Sequence, residues 1–297
     1  MATTPEQFPR MLQGAIQAAL SFRGVGVIGL PGDLTSKMAI PGESSQQSFP
    51  TKQRVCPSPE EINELAELLN KAGKVTLFCG IGAKDAHKEL VELSQRLHAP
   101  VAYSFKSKME IQYDNPNEVG MTGLLGIPSG YYSMHEAEVL VLLGTDFPYE
   151  AFMPQNNTIV QVDIKANRLG RRAKIKMGLC GDVKDTLQEL LPLIRQKTDD
   201  SFLREQLAHY DKVKKNLRST AEVKGKDEKI QPEYVISVID ELASKDAVFT
   251  GGCIANPDKS FCFRRSCPGQ YHDRPECAGD AAEDRVYANA WICTDHV

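Results

Sequence analysis

The chain has 297 residues, long enough for one large domain or two ordinary ones with ample material for a core. Lys and Arg total 35 against 39 Asp and Glu, a formal net charge of -4 that offers no field to draw in nucleic acid, so the expected partner is a small-molecule cofactor or another protein. No apolar run approaches the roughly 20 residues of a membrane helix, and the opening Ala2-Thr3-Thr4-Pro5-Glu6 lacks the pattern of a secretory signal, so a cytoplasmic location is expected.

Residues 7–22 carry Phe8, Leu12, Ala15, Ala19 and Phe22 at steps of four and three, the period of a helix with one buried face, and Gly24 stops it. Val25 to Leu30 is an apolar run suited to a strand, closed by the turn signal Pro31-Gly32-Asp33. One helix and one strand cannot bury their apolar sides, so residues 1–34 read as the last unit of a larger domain. Residues 35–56 shift to Ser, Gln, Pro and Gly without periodicity and read as an interdomain linker.

Order resumes at Ser58-Pro59-Glu60-Glu61, where a capping serine, a proline and a glutamate three residues on predict a helix start. Ile62, Leu65, Ala66 and Leu69 form its apolar stripe, and Gly73 suits a left-handed end residue. Val75 to Cys79 is a strand, followed by Gly80-Ile81-Gly82-Ala83 and a helix expected over 84–97. Glycines at such a place let a phosphate approach the backbone, and the amides of the helix start favour its charge; a tight turn explains the same residues. The dinucleotide fingerprint also wants an acid about 20 residues on, and Pro100 to Ser104 holds none. A simple Rossmann NAD site is therefore disfavoured.

Val101-Ala102-Tyr103 leads into Ser104-Phe105-Lys106-Ser107-Lys108, whose lysines read as solvated surface or as cations near a strand end. Gly120 to Gly126 is a glycine-punctuated loop before a helix over 128–135. Val139 to Leu143 is an unbroken apolar run closed by Gly144, the pattern of a parallel strand buried on both faces. Its end, Gly144-Thr145-Asp146-Phe147-Pro148, offers bare backbone, a hydroxyl, a carboxylate and a ring where α/β sheets bind ligands. Ile159 to Val162 ends at Asp163, which suits a ribose or simply caps a turn. After Ile175 to Cys180 comes Gly181-Asp182-Val183, with Asp182 as N-cap of a helix bearing Leu187, Leu190, Leu191 and Ile194. Strands alternate with helices, so residues 57–197 are expected to be an α/β domain with a doubly wound parallel sheet. Residues 199–219 are charged and helical, 223–229 break the pattern, 232–243 form a helix, and Ala247 to Thr250 begins a strand, so residues 198–250 read as the start of a further α/β domain.

From Met1 to about Thr250 the chain resembles the thiamine-diphosphate-dependent, FAD-containing pyruvate oxidases and quinone-linked pyruvate dehydrogenases. The matching stretches include Leu30 to Asp33, Ala86 to Glu92, Tyr113 to Pro116, Val119 to Leu124, Leu142 to Thr145, Phe147 to Tyr149 and Gly181 to Val183. The resemblance implies a three-domain oxidoreductase: a pyrimidine-binding domain, a central FAD-binding domain, and a domain holding the thiamine diphosphate through Mg²⁺. By similarity, Gly80 and Gly82 approach the FAD diphosphate, with Phe105, Lys106, Thr122, Gly123 and Leu124 along the cofactor. Gly144, Thr145, Asp146 and Phe147 support the ribityl and flavin portion, and Asp163, Ile164, Gly181, Asp182 and Val183 surround the adenosine end.

The departures from that family are equally specific. Neither its catalytic glutamate nor its Gly-Asp-Gly metal-diphosphate segment has a counterpart, so the expectation is an inactive fragment that retains the FAD domain, with no catalytic or metal residue of its own. Homo-oligomers or association with full-length subunits are the expected assemblies. Residues 251–297 resemble nothing in the family: Gly251-Gly252-Cys253 stands where Gly-Asp-Val is expected, as one inserted guanine produces, and the segment holds five cysteines without apolar periodicity. Out-of-frame translation is the reading; a zinc site from Cys253, Cys262, Cys267, His272, Cys277, Cys293 and His296 is the alternative, weakened by the lack of a Cys-x-x-Cys pair. A sirtuin-like deacylase would need a loop histidine and a zinc module inside the domain, and His87, expected in a helix, does not supply the first.

Overall fold

Apolar runs that are too short and too β-branched for helices become the strands of one parallel sheet. The computed structural model describes residues 1–22, 24–38, 49, 54–220 and 230–244, and the chain divides into two units, Met1–Arg54 and Val55–Val297.

In the first unit a 3₁₀ turn (Pro5–Gln7) precedes α1 (Phe8–Phe22), and α2 (Gly32–Thr35) is a single turn. The expected helix over 7–22 is present, but no residue of α1 is buried, and Phe22 is 82% exposed. The strand expected over 25–30 is absent: among the described residues the segment pairs with no strand and makes only an isolated bond, Gly29 O accepting from Ala2 N at 3.0 Å, while its backbone crosses α1 where a Cβ on Gly26 would meet Ala15 O. Pro31-Gly32-Asp33 opens α2 rather than a plain turn.

The second unit begins with α3 (Pro59–Lys71), entered through a capping box in which Ser58 Oγ accepts from Glu61 N and Glu61 Oε2 accepts from Ser58 N at 2.8 Å. Such a cap contributes about 1 kcal/mol, whereas each buried Ile or Leu of Ile62, Leu65 and Leu69 contributes about 2 kcal/mol. Packing therefore holds α3 and the cap sets where it starts. The helix ends in extended Ala72, not in a left-handed glycine; Gly73 leaves room for Glu138, which accepts from its amide at 2.7 Å.

Strands β1 (Val75–Cys79), β2 (Val101–Tyr103), β3 (Glu118–Met121), β4 (Val139–Leu143), β5 (Thr158–Asp163) and β6 (Met177–Cys180) pair in parallel in the order β3-β2-β1-β4-β5-β6. The chain winds outward from β1 in one direction, returns to its other side, and winds outward again. That is the doubly wound parallel sheet the alternation predicts. Between the strands lie α4 (His87–Leu97), α5 (Lys108–Ile111), α6 (Pro128–Glu136) and, after β6, α7 (Val183–Leu190), α8 (Ser201–Thr220) and α9 (Pro232–Leu242).

Period-two alternation splits the core between the two faces of the sheet. Val75, Leu77 and Cys79 face a cluster supplied by α3, α4 and α7; Phe78, Leu140 and Leu142 face one that includes Met134 of α6 and Tyr210 of α8. Two expectations are corrected here. The helix expected over 84–97 is a 3₁₀ segment (Ile81–Ala86) and only then α4, and Gly120 lies in β3, not in a loop, with φ +95 at a register shift against β2. Residues 221–229 and 245–297, with the expected strand at 247–250 and the cysteine-rich tail, and most of the expected linker (39–48 and 50–53), lie outside the described residues.

Candidate functional site along the carboxyl edge of the sheet

Because all six strands run the same way, their carboxyl ends form one edge. Hydrogen bonds extend past the strand ends and tie that edge together: Gly80 N to Leu143 O at 2.9 Å, Gly144 N to Val162 O at 2.8 Å, Thr122 N to Tyr103 O at 3.0 Å and Gly181 N to Asp163 O at 3.0 Å. The chain reverses its winding between β1 and β4, and an open sheet of this kind has its ligand crevice beyond such a point.

At that point the glycines are required by one another. A Cβ on Gly80 would lie 2.4 Å from Gly144 O, one on Gly82 would lie 2.8 Å from Gly144 Cα, and Gly144 itself has φ +59 with Gly82 Cα in its way. Close approach of two loops, not room for a phosphate alone, therefore explains these residues. Nor does the α-helical dipole end at Gly80, since α4 begins at His87 after six residues of 3₁₀ helix.

The other predicted residues take several roles. Phe105 is half-buried, Lys106 exposed, and the nearby Lys108 is buried, against the reading of both lysines as solvated. Thr122 follows β3, and its Oγ1 is buried without a hydrogen-bond partner. Gly123 (φ +123) lies against the Phe147 ring, and Leu124 is 56% exposed. Thr145 is buried; Phe147 is 6% exposed, packs edge-on against Phe78, and belongs to the core beneath the edge. Ile164 is exposed beside Asp163. A Cβ on Gly181 would meet Pro57 and Thr186, Asp182 caps α7 through Lys184 N (3.0 Å) and Asp185 N (3.2 Å), and Val183 is buried.

Asp163 is the most constrained of the set. Its Oδ1 accepts from Lys165 N at 2.9 Å, the capping role, while Oδ2 is buried with no hydrogen-bond partner and lies 3.9 Å from Arg168 Nη1. Burial pushes this carboxyl above its ordinary range, and the Lys165 amide and the Arg168 charge only partly offset the effect. A buried acceptor left bare is a natural partner for a ligand hydroxyl.

Two features at this edge do not emerge from the sequence reading. Gln161, 4% exposed on β5, accepts from Gly170 N at 2.9 Å and donates to Thr145 O and Arg168 O, pinning the β5–β6 connection. That connection then carries Arg168, Arg171 and Arg172 to Asp146. The only sequence signal was the Arg-Leu-Gly-Arg-Arg run at 168–172. Among the described residues no group of three or more His, Cys, Asp or Glu is placed to hold a metal.

Residues 62–190 match the family model of the thiamine pyrophosphate enzyme central domain. This region has the α/β fold of that central domain. An uncharacterized 42.6 kDa protein in the isoamylase 3' region of Pseudomonas amyloderamosa is 43% identical over 73% of this chain and 55% of its own length. The pyruvate oxidase of Lactiplantibacillus plantarum is 26% identical over 84% of this chain and 42% of its own, and the chloroplastic acetolactate synthase 2 of Zea mays is 26% identical over 83% and 40%. The central domain's sheet also recurs in the crystal structure of benzoylformate decarboxylase from Polynucleobacter necessarius, with TM-score 0.65 over 85% of this chain and 46% of that one; at 22% identity the likeness is one of fold. The chain is thus related to thiamine-diphosphate-dependent enzymes and spans about half the length of the curated relatives it matches.

Proposed function

We propose that this chain supplies the FAD-binding central domain of a thiamine-diphosphate-dependent pyruvate oxidase, an enzyme type that converts pyruvate to acetate and CO₂ and passes electrons through FAD to quinone. The observation that carries the reading is the pair of bare buried acceptors, Thr122 Oγ1 and Asp163 Oδ2, at the ends of β3 and β5 on opposite sides of the switch point. Each is able to take a hydroxyl or imide hydrogen from a nucleotide laid along the edge, and half-buried Gly123 and exposed Leu124 offer apolar surface next to Thr122. The residues present therefore fit a dinucleotide of flavin type. Asp163 would hold the ribose, Thr122 to Leu124 and Gly144 to Asp146 would line the remainder, and Gly181 would bring backbone to the adenosine end. When bound, FAD supplies two-electron acceptor chemistry. The protein's part is to orient it and shield it from water. The relatives named pyruvate oxidase and acetolactate synthase are equally similar, and the FAD assignment comes from the stretches Val119 to Leu124, Leu142 to Thr145 and Phe147 to Tyr149.

The test is equilibrium titration of the purified chain with FAD, following flavin fluorescence and the visible band that survives gel filtration. Saturable binding in the micromolar range, weakened at least about tenfold by Asp163→Ala, is expected, since losing a buried hydrogen-bonded carboxylate costs about 1.5–3 kcal/mol. A chain that stays colourless and leaves the fluorescence unchanged at high micromolar FAD overturns the reading.

A further inference from the structure

The β5–β6 connection gathers three like charges on one short segment, an arrangement that self-repulsion opposes unless an anion joins it. In this structure the anion is Asp146 from the end of β4. Arg171 Nη1 donates to its Oδ2 at 3.2 Å, Arg172 Nε donates to its Oδ1 at 3.3 Å, and Arg168 Nε stands 3.9 Å away. Arg168 also lies 3.9 Å from the bare Asp163 Oδ2, and Glu150 sits 4.0 Å from Arg172. With Lys165 beside Asp163, the cations named outnumber the carboxylates by one.

One carboxylate is a poor match for this set. Each guanidinium carries about five N–H donors in a fixed fork, and Asp146 engages a single edge of each. A phosphoanhydride presents more acceptor oxygens and more charge, and arginine forks suit its geometry. The arginine side chains are 28–50% exposed and Asp146 is 25% exposed, so a solute can reach them. The neighbouring Asp163 Oδ2, buried and without a hydrogen bond, points separately to a ligand with a hydroxyl next to its phosphates. Gln161 keeps the connection in place by holding Arg168 O and Gly170 N from below.

We propose that Arg168, Arg171 and Arg172 form a seat for a phosphoanhydride, and that Asp146 occupies it as an internal competing anion until a diphosphate displaces the carboxylate. For the nucleotide this deepens, and rests on, the reading of the preceding subsection; for the anion alone it does not. The exchange is one of ion pairs, with no bond made or broken, and it makes ligand affinity depend on how strongly Asp146 holds its arginines.

Inorganic pyrophosphate, titrated calorimetrically into the full chain at low ionic strength, is the probe. Asp146→Asn is expected to tighten binding at least about fivefold, and the double variant Arg171→Gln, Arg172→Gln to weaken it at least about tenfold, the scale of partly exposed charge pairs. Asp211→Asn on α8, which makes the same change in net charge beside Lys214, is expected to leave the affinity unaltered. Circular dichroism melts of each variant establish that it is folded; Asp146→Ser and Arg172→Lys stand in for any that is not. The inference fails if pyrophosphate does not bind, if Asp146→Asn binds no tighter than the parent, if Asp211→Asn tightens binding equally, or if the arginine variants bind unchanged. FAD binding without any Asp146 effect removes this inference and leaves the flavin reading; a gated pyrophosphate site in a chain that ignores FAD does the reverse.

Discussion

Asp163 shows how much a single side chain's surroundings decide. The same carboxylate that caps a turn through Oδ1 keeps Oδ2 in a buried place with no hydrogen bond, and burial outweighs the nearby positive charge. A carboxyl whose folded pKa is raised binds its proton more readily folded than unfolded. Folding therefore loses stability as pH rises from the ordinary carboxylate range through the raised value, and the cost is fully present above that value. Asp163→Asn is accordingly expected to melt higher than the parent at pH 7, with the difference shrinking as pH falls toward 4. A difference that stays constant over that range, read by calorimetry, contradicts the buried, only partly compensated carboxylate. At the same scale, the glycines of the edge were visible in sequence, but their reason was not: Gly80, Gly82 and Gly144 are small because they touch each other.

Elements followed their local patterns where those patterns were strong. The Ser58 capping box and the Asp182 cap both formed as read, since each needs only neighbours within three residues. Strand β3 was not anticipated, because Glu118-Val119-Gly120-Met121 has no alternation and is made a strand by pairing with β2. The strand expected at Val25 to Leu30 failed for the complementary reason: among the described residues no strand pairs with it. The β5–β6 connection belongs to this scale too. It replaces a crossover helix with a 3₁₀ turn, Ala166–Arg168, and an irregular segment whose anchor is Gln161. Gln161→Leu removes three hydrogen bonds and strands their partners, so a loss of about 2–3 kcal/mol in denaturant unfolding is expected. Faster amide exchange over residues 165–175 is expected with it. A variant as stable and as protected as the parent would show that the connection is held by its packed Ala173 and Ile175 instead.

For the molecule as a whole, strand order is the decisive property. The sequence β3-β2-β1-β4-β5-β6 places one reversal in the middle of the sheet and one candidate crevice above it. Within the proposed function, the 297 residues contain no Gly-Asp-Gly segment to hold a metal-bound diphosphate. The chain by itself is expected to give no pyruvate-dependent dye reduction when thiamine diphosphate, Mg²⁺ and FAD are all present, and measurable turnover would refute this. We also propose that it assembles with itself or with full-length subunits of the same enzyme type.

The alternation of buried strands with amphipathic helices was legible from residue types, because burial on two faces demands unbroken Val, Ile and Leu and burial on one face demands a helical period. So were the acids, hydroxyls and glycines that end the strands. Which strand lies beside which was decided only by the tertiary structure. With that neighbourhood came the mutual glycine contact, the bare oxygens of Thr122 and Asp163, and the meeting of Asp146 with three arginines. The physical reason is range: hydrophobic periodicity is written between residues a few positions apart, whereas hydrogen bonds and ion pairs form wherever the folded backbone brings their partners within reach.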